Sequence, residues 1–294
     1  MLRHSSDASL CKTRSDVKFA INTNGDVQAS QHDVAPMVYL DHCALRTISE
    51  DSAFTARLTR DLESLGGTLA LSWANLAEFA KVTDQEQARK AEKLIDANLP
   101  RIFLLEADPF VVIDRENSLL AGGPPLSPHG DKEFLRVFVT LKPTSLALFS
   151  ARDLFDVTQD PALIQLNERL ADTIVSCVET LRREDKPIPE TTNPIQRGTR
   201  YILRELMRPL LKDKQRVVTR NDAFDFYHAV VPVAYCDFVL LDKSWETYVD
   251  QARLSLNGSG ASVPIARVFS LKKGGLDRFF RDLEYLAVRL GGGG

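Results

Sequence analysis

The chain has 294 residues, a net charge of −3, and ordinary shares of hydrophobic (44%) and charged (26%) residues, enough for one elaborated domain or two small ones with an ample core. Cys11, Cys43, Cys177 and Cys236 are scattered, with no Cys-x-x-Cys pair and no zinc-type histidine spacing, which excludes a disulfide scaffold and a zinc module. The polar N-terminal residues and the lack of any long charge-free run exclude a signal sequence and a membrane span, so the expectation is a cytoplasmic protein with reduced thiols and no membrane partner.

Residues 1–35 are rich in Ser, Asp, Asn and Gln without a period and read as a loose arm. Residues 37–40 (Met-Val-Tyr-Leu) form a short buried strand, and residues 54–65 carry apolar side chains at helical spacing until Gly66-Gly67 stops them. A second strand over 68–72, a helix through Glu78 and another over 85–97 complete a βαβα alternation, which favours a parallel sheet. The Gly- and Pro-rich stretch 122–130 is loop chemistry. Beyond it, Leu163, Leu166, Leu170, Ile174, Val178 and Leu181 stripe a long helix, and a second helix over about 195–212 is kinked or ended near Pro209. Alternation then returns: a helix from 222, a strand at 238–241, a helix from 244, a strand at 266–270 and a helix over 276–290. The expected organisation is an arm (1–35), a first α/β part (36–119), a helical insertion (120–215), a second α/β part (216–290) and a glycine tail (291–294).

Within this frame stand acids set against apolar runs. Asp41 closes Met-Val-Tyr-Leu-Asp, Glu78 sits in Leu-Ser-Trp-Ala-Asn-Leu-Ala-Glu-Phe, Asp225 opens Asp-Phe-Tyr-His-Ala, and Asp242 ends Phe-Val-Leu-Leu-Asp. An acid at the C-terminal end of a buried strand lies where open α/β sheets build their ligand crevice. Carboxylates gathered there repel one another unless a cation neutralises them, and hard cations such as Mg²⁺ select oxygen ligands for phosphoester chemistry.

The order and spacing of Tyr-Leu-Asp41, Ser72-x-x-Asn75-x-x-Glu78, Asp225-x-x-His-Ala and Val-Leu-Leu-Asp242 resemble the PIN-domain family of metal-dependent nucleases, over residues 37–98 and 217–289. The resemblance implies an α/β fold with a PIN-like parallel sheet flanked by helices, here interrupted by the helical insertion. It implies a metal-dependent endoribonuclease acting on RNA. Asp41, Glu78, Asp225 and Asp242 would be the catalytic ligands of Mg²⁺ or Mn²⁺, with Asn75 or His228 orienting them. Leu240 stands where the family often has Thr, so Asp237 competes with Asp242 as fourth ligand, and Asp222 is a weaker candidate best read as a helix N-cap. The resemblance also implies a homodimer, and a cognate inhibitor or regulatory protein as partner. A non-catalytic RNA-binding or scaffold protein and a DNA-directed nuclease are the alternatives.

Arg197, Arg200, Arg204, Arg208 and Lys212 recur at three and four residues, a basic stripe that reads either as a nucleic-acid-binding surface or as a solvated face beside Glu205. Trp73, Tyr227 and Trp245 read as core, and Cys43 and Cys236 as small buried hydrophobes.

Overall fold

Short apolar runs separated by amphipathic helices give five parallel strands, seen in a computed structural model that describes residues 17–21, 27–31, 33–81, 84–118, 127–143, 148–184, 198–259, 263–272 and 274–291. The first described segment is an antiparallel pair, β1 (Lys18–Ile21) and β2 (Val27–Ser30). It falls where a loose arm was expected, and its anchors are long-range. Val17 is buried, Phe19 stacks on Phe138 at 5.5 Å, and the Gln31 amide brackets the backbone N–H and C=O of Leu104. Residues 1–16, Cys11 among them, lie outside the described residues.

β3 (Met37–Leu40) is followed by α1 (His42–Glu50) and α2 (Ser52–Leu65), then β4 (Thr68–Leu71), α3 (Trp73–Ala80) and α4 (Gln85–Asn98). The α2–β4 turn needs its two glycines: Gly66 has φ +62°, and a Cβ on Gly67 would lie 2.7 Å from the Pro36 carbonyl oxygen. After one 3₁₀ turn comes β5 (Ile102–Leu104) and then α5 (Pro109–Ser118), neither of which the sequence pattern singles out. The strand is three residues long, too short to show a period.

Among the described residues the insertion holds α6 (Lys132–Leu141), α7 (Ala151–Val157), α8 (Pro161–Glu184) and α9 (Gly198–Lys212). The predicted stripe holds, with Leu163, Leu170, Ile174 and Val178 buried and Leu166 and Leu181 partly so. α9 continues through Pro209 to Lys212. Its end is secured from α8, where the Arg182 guanidinium donates to the carbonyls of Leu210, Asp213 and Arg216, groups a helix C-terminus leaves unpaired. The insertion is also tied to its neighbours by the buried Glu116 of α5, which accepts hydrogen bonds from Thr199 Oγ1 at 2.6 Å and from Tyr235 OH at 2.7 Å.

The chain then forms α10 (Arg220–Tyr235), β6 (Phe238–Leu241), α11 (Lys243–Ser259), β7 (Arg267–Ser270) and α12 (Gly275–Gly291). The sheet order is β5-β4-β3-β6-β7, with every pairing parallel. β3, β4, β5 and β6 are buried along their whole length, the reason their sequences are continuous apolar runs and not alternations. Chain direction across the sheet reverses at β3: β4 and β5 lie to one side, β6 and β7 to the other. The C-terminal ends of β3 and β6 therefore flank the topological switch point, where open α/β sheets have their crevice. Among the described residues no helix is long and apolar enough to cross a membrane.

Candidate active site

Two acids arrive at the switch point on adjacent strands. Leu40 pairs with Leu240, and the Asp41 N–H continues the ladder onto the Leu240 carbonyl at 3.0 Å, so Asp41 and Asp242 leave the sheet side by side. Each also starts a helix. Asp41 Oδ1 accepts from the Ala44 N–H at 2.7 Å as the N-cap of α1, and Asp242 Oδ2 accepts from the Ser244 N–H at 3.3 Å. The plain helix-starting role is real for both and leaves further carboxylate oxygens for other work.

Glu78 of α3 and Asp225 of α10 join them from the flanking helices. Asp41 is pushed up to about 7, by burial first and then by the charges of Asp225, Glu78 and Asp242. Glu78 is pushed up to about 7 by burial and then Asp225. Asp225 is pushed up to about 6 by burial and then Asp242. Cys43, expected to be buried, is exposed beside them; its thiol is driven to about 11 by partial burial and by the fields of all four acids. The four carboxylates thus act on one region of space. Among the described residues no three His, Cys, Asp or Glu side chains are already gathered into an ion cage. The donor set fits a hard divalent cation in kind, because it consists of carboxylate oxygens, three of them on carboxyls raised by burial and by one another's charge.

Two features of the site were not anticipated. His42, directly after Asp41, sets its Nδ1 3.2 Å from Glu78 Oε2, lies edge-on to Phe79 at 4.8 Å, and has a buried Nε2 without a partner. An ion pair would raise the histidine and lower the glutamate. Burial instead lowers His42 and raises Glu78, so burial works against the charged form of both partners and the contact is not a full ion pair. Its position next to a strand-end acid was the only signal for it in the chain. The second unanticipated feature is a rim of cations: Lys81 acts on Glu78, Arg216 on Asp225 and Arg46 on His42.

Behind the acids lies a buried polar hub. Tyr39 OH is 2.8 Å from Asn75 Oδ1, 2.8 Å from His228 Nδ1 and 3.2 Å from Ser72 Oγ, and Asn75 Nδ2 donates to the Leu40 carbonyl at 2.6 Å. His228 is lowered to about 3 by complete burial and is neutral. One assignment satisfies the set: His228 Nδ1–H donates to the tyrosine oxygen, Tyr39 and Ser72 donate to Asn75 Oδ1, and the Asn75 amide holds the peptide that carries Asp41. Asn75 thus orients Asp41 through the backbone, whereas His228 does not touch Asp225. Tyr39→Phe would strand His228 Nδ1 and remove one of the two donors to Asn75 Oδ1, and is expected to lower stability by about 2 kcal/mol, measured by urea unfolding.

The remaining candidates are placed elsewhere. Asp237 precedes β6 at the opposite end of the sheet, where its Oδ2 accepts the Met37 N–H at 2.7 Å; it starts the β3–β6 ladder and is remote from the crevice, so it does not compete with Asp242. Asp222 is not the N-cap of α10 but its capping-box partner, with Thr219 as the cap. Arg200, Arg204 and Arg208 are half-buried on a helix packed against α8, α10 and α11, and Arg208 bonds Glu205, itself buried, at 2.8 Å. The stripe is thus part-covered, with Lys212 at its end exposed; Arg197 lies outside the described residues. Trp73, Tyr227, Trp245 and Cys236 are core, as expected.

The chain matches no family model, no curated protein and no solved structure.

Proposed function

We propose that this chain is a divalent-cation-dependent nuclease of the PIN type, with RNA as its substrate. The observation that carries the reading is that Asp41, Glu78, Asp225 and Asp242 act electrostatically on one another around the switch point, with three of the carboxyls pushed up to between about 6 and about 7, by burial first. Perturbed acids in a crevice mark functional sites, and an all-oxygen set suits Mg²⁺ or Mn²⁺. When bound there, the cation supplies charge neutralisation at a phosphate and a lower pKa for an attacking water.

The protein's own part is positional. Asp41 is held by the α1 turn and by Asn75 beneath it, while His42 steadies one Glu78 oxygen and leaves the other for a ligand. Lys81, together with Arg46 and Arg216, which are paired with Glu50 and Asp222, supplies positive charge at the rim for the nucleic-acid backbone.

The test is cleavage of labelled RNA and DNA oligonucleotides with Mn²⁺, Mg²⁺ or EDTA. Expected is RNA cutting that needs the metal, falls at least about 100-fold in Asp41→Asn and Glu78→Gln, and persists in Asp237→Asn. Cutting of DNA alone would make it a DNA-directed enzyme. Cation-independent cutting, or none in any variant, would overturn the reading in favour of a non-catalytic RNA-binding or scaffold role.

A further inference from the structure

A second group of acids surrounds a cavity of about 250 Å³ beyond the C-terminal end of β5. Glu106, Asp108 and Asp131 line it together with the apolar bodies of Trp73, Leu166 and Tyr227. Asp131 is 2% exposed; its Oδ1 caps α6 through the Phe134 N–H at 2.8 Å, and its Oδ2 has no partner. Glu106 is 6% exposed; its Oε1 accepts the Asp108 N–H at 3.1 Å, while Oε2 has only Arg115, at 3.8 Å and beyond hydrogen-bond reach. Asp131 therefore presents a buried oxygen that the protein leaves unsatisfied, beside a Glu106 oxygen held only by a long ion pair to Arg115, an arrangement that is costly unless a ligand completes it.

The charge balance gives the sign of that ligand. Glu106, Asp108 and Asp131 stand against Arg115, and nearby His129 is kept neutral by burial. Burial raises all three acids, Glu106 to about 8 and Asp131 to about 7, and the Asp131 charge raises Glu106 further, so a bound cation takes the place of the protons these carboxyls hold near neutrality. The fourth acid of the lining, Glu133, is already paired with Arg136. The walls give the shape. A hard metal ion needs about six oxygen ligands, and this cavity is apolar on most of its surface. Its volume equals about eight waters at roughly 30 Å³ each, room for a few carbon atoms and a charged head. Trp73 and Tyr227 supply aromatic surface of the kind that favours organic cations.

We propose that this cavity is a binding site for an organic cation, an ammonium or guanidinium group on a short apolar stem, whose head is held by Asp131 and Glu106 and whose stem lies against Trp73, Leu166 and Tyr227. The site shares no acidic residue with the proposed nuclease centre and does not depend on that reading.

The test is calorimetric titration of the full chain with butylammonium and butylguanidinium, with 1-butanol as neutral control and an amidated Gly-Lys-Gly peptide as the protein-borne source of the same head group. Saturable binding of at least one cation, and not of butanol, is expected. Asp131→Asn keeps an oxygen for the helix cap and should weaken binding at least about tenfold, as should Glu106→Gln. Leu166→Trp, which fills the cavity and alters no charge, should abolish it. Binding by the peptide alone would identify the cation as a protein side chain and uphold the site. No binding by any cation, equal binding of butanol, or unchanged affinity in both Asp131→Asn and Leu166→Trp would overturn the proposal.

Discussion

Asp41→Asn is expected to make the metal-free protein more stable at pH 8 by roughly 1–3 kcal/mol, while removing its stabilisation by Mg²⁺ or Mn²⁺. The Asp41 carboxyl is raised to about 7 in the folded state, mainly by burial, against about 3.9 in an unfolded chain. The folded state therefore holds its proton over a range where the unfolded state has lost it. Stability contributed by this group is present at low pH and is lost as pH rises from about 4 through about 7; above that the full penalty of an ionised, crowded carboxylate remains. The shift taken at face value corresponds to about 4 kcal/mol, and solvent screening in an open crevice reduces it. Asn keeps the cap on the Ala44 N–H and loses only the modest benefit of an anion at a helix N-terminus. Urea unfolding in EDTA at pH 5 and pH 8 checks this: the variant's advantage should be present at pH 8 and shrink at pH 5. Millimolar Mn²⁺ should reverse the order at pH 8, because only the wild type gains from ligation. A variant less stable than wild type in EDTA at pH 8 would show that Asp41 is not under electrostatic strain.

Divalent-cation affinity should fall about 30- to 100-fold between pH 8 and pH 6. Ligation needs the ionised carboxylates, and at pH 6 only about a tenth of a group with a pKa near 7 is ionised. Asp41 and Glu78 each carry that handicap, and Asp225, raised to about 6, adds a smaller one. The two protons come off a coupled set, so the combined loss is smaller than the product of independent tenfold factors. Mn²⁺ titration calorimetry in two buffers of different ionisation enthalpy would report both the affinity and the protons released. Near pH 7 about one proton per cation is expected, falling toward zero at pH 9. In Glu78→Gln one titrating ligand is gone, and the pH dependence should flatten by about tenfold. Equal affinity at pH 6 and pH 8 would mean that these acids are not the ligands.

Much of the frame was legible along the chain because it rests on local signals. β3 and β6 stand out as apolar runs ended by an acid, Gly66-Gly67 marks the stop of α2, and the stripe from Leu163 to Leu181 marks α8. What was missed is short or held from a distance. β5 is three residues long, and the β1–β2 pair owes its place to Phe19 on Phe138 and Gln31 on Leu104, contacts across more than 70 residues in each case. The arginines of α9 show how periodicity misleads: their spacing is that of one helix face, but spacing carries no information on whether a neighbour covers the face, and here α8, α10 and α11 pack around the helix.

The site divides along the same line. Sequence by itself determined which residues are acids at strand ends and helix starts, because residue type, apolar run and helix signal are all local. Tertiary structure alone decided which of them meet. Asp41 and Asp242 are neighbours because β3 pairs in parallel with β6 some 200 residues later, whereas Asp237, five residues before Asp242, is carried to the far end of the same strand and bonds Met37. Tertiary packing likewise put His42 against Glu78 and left one buried Asp131 oxygen without a partner. A carboxylate's proton affinity depends on the water it loses and the charges it faces, and both are set only when distant segments pack together.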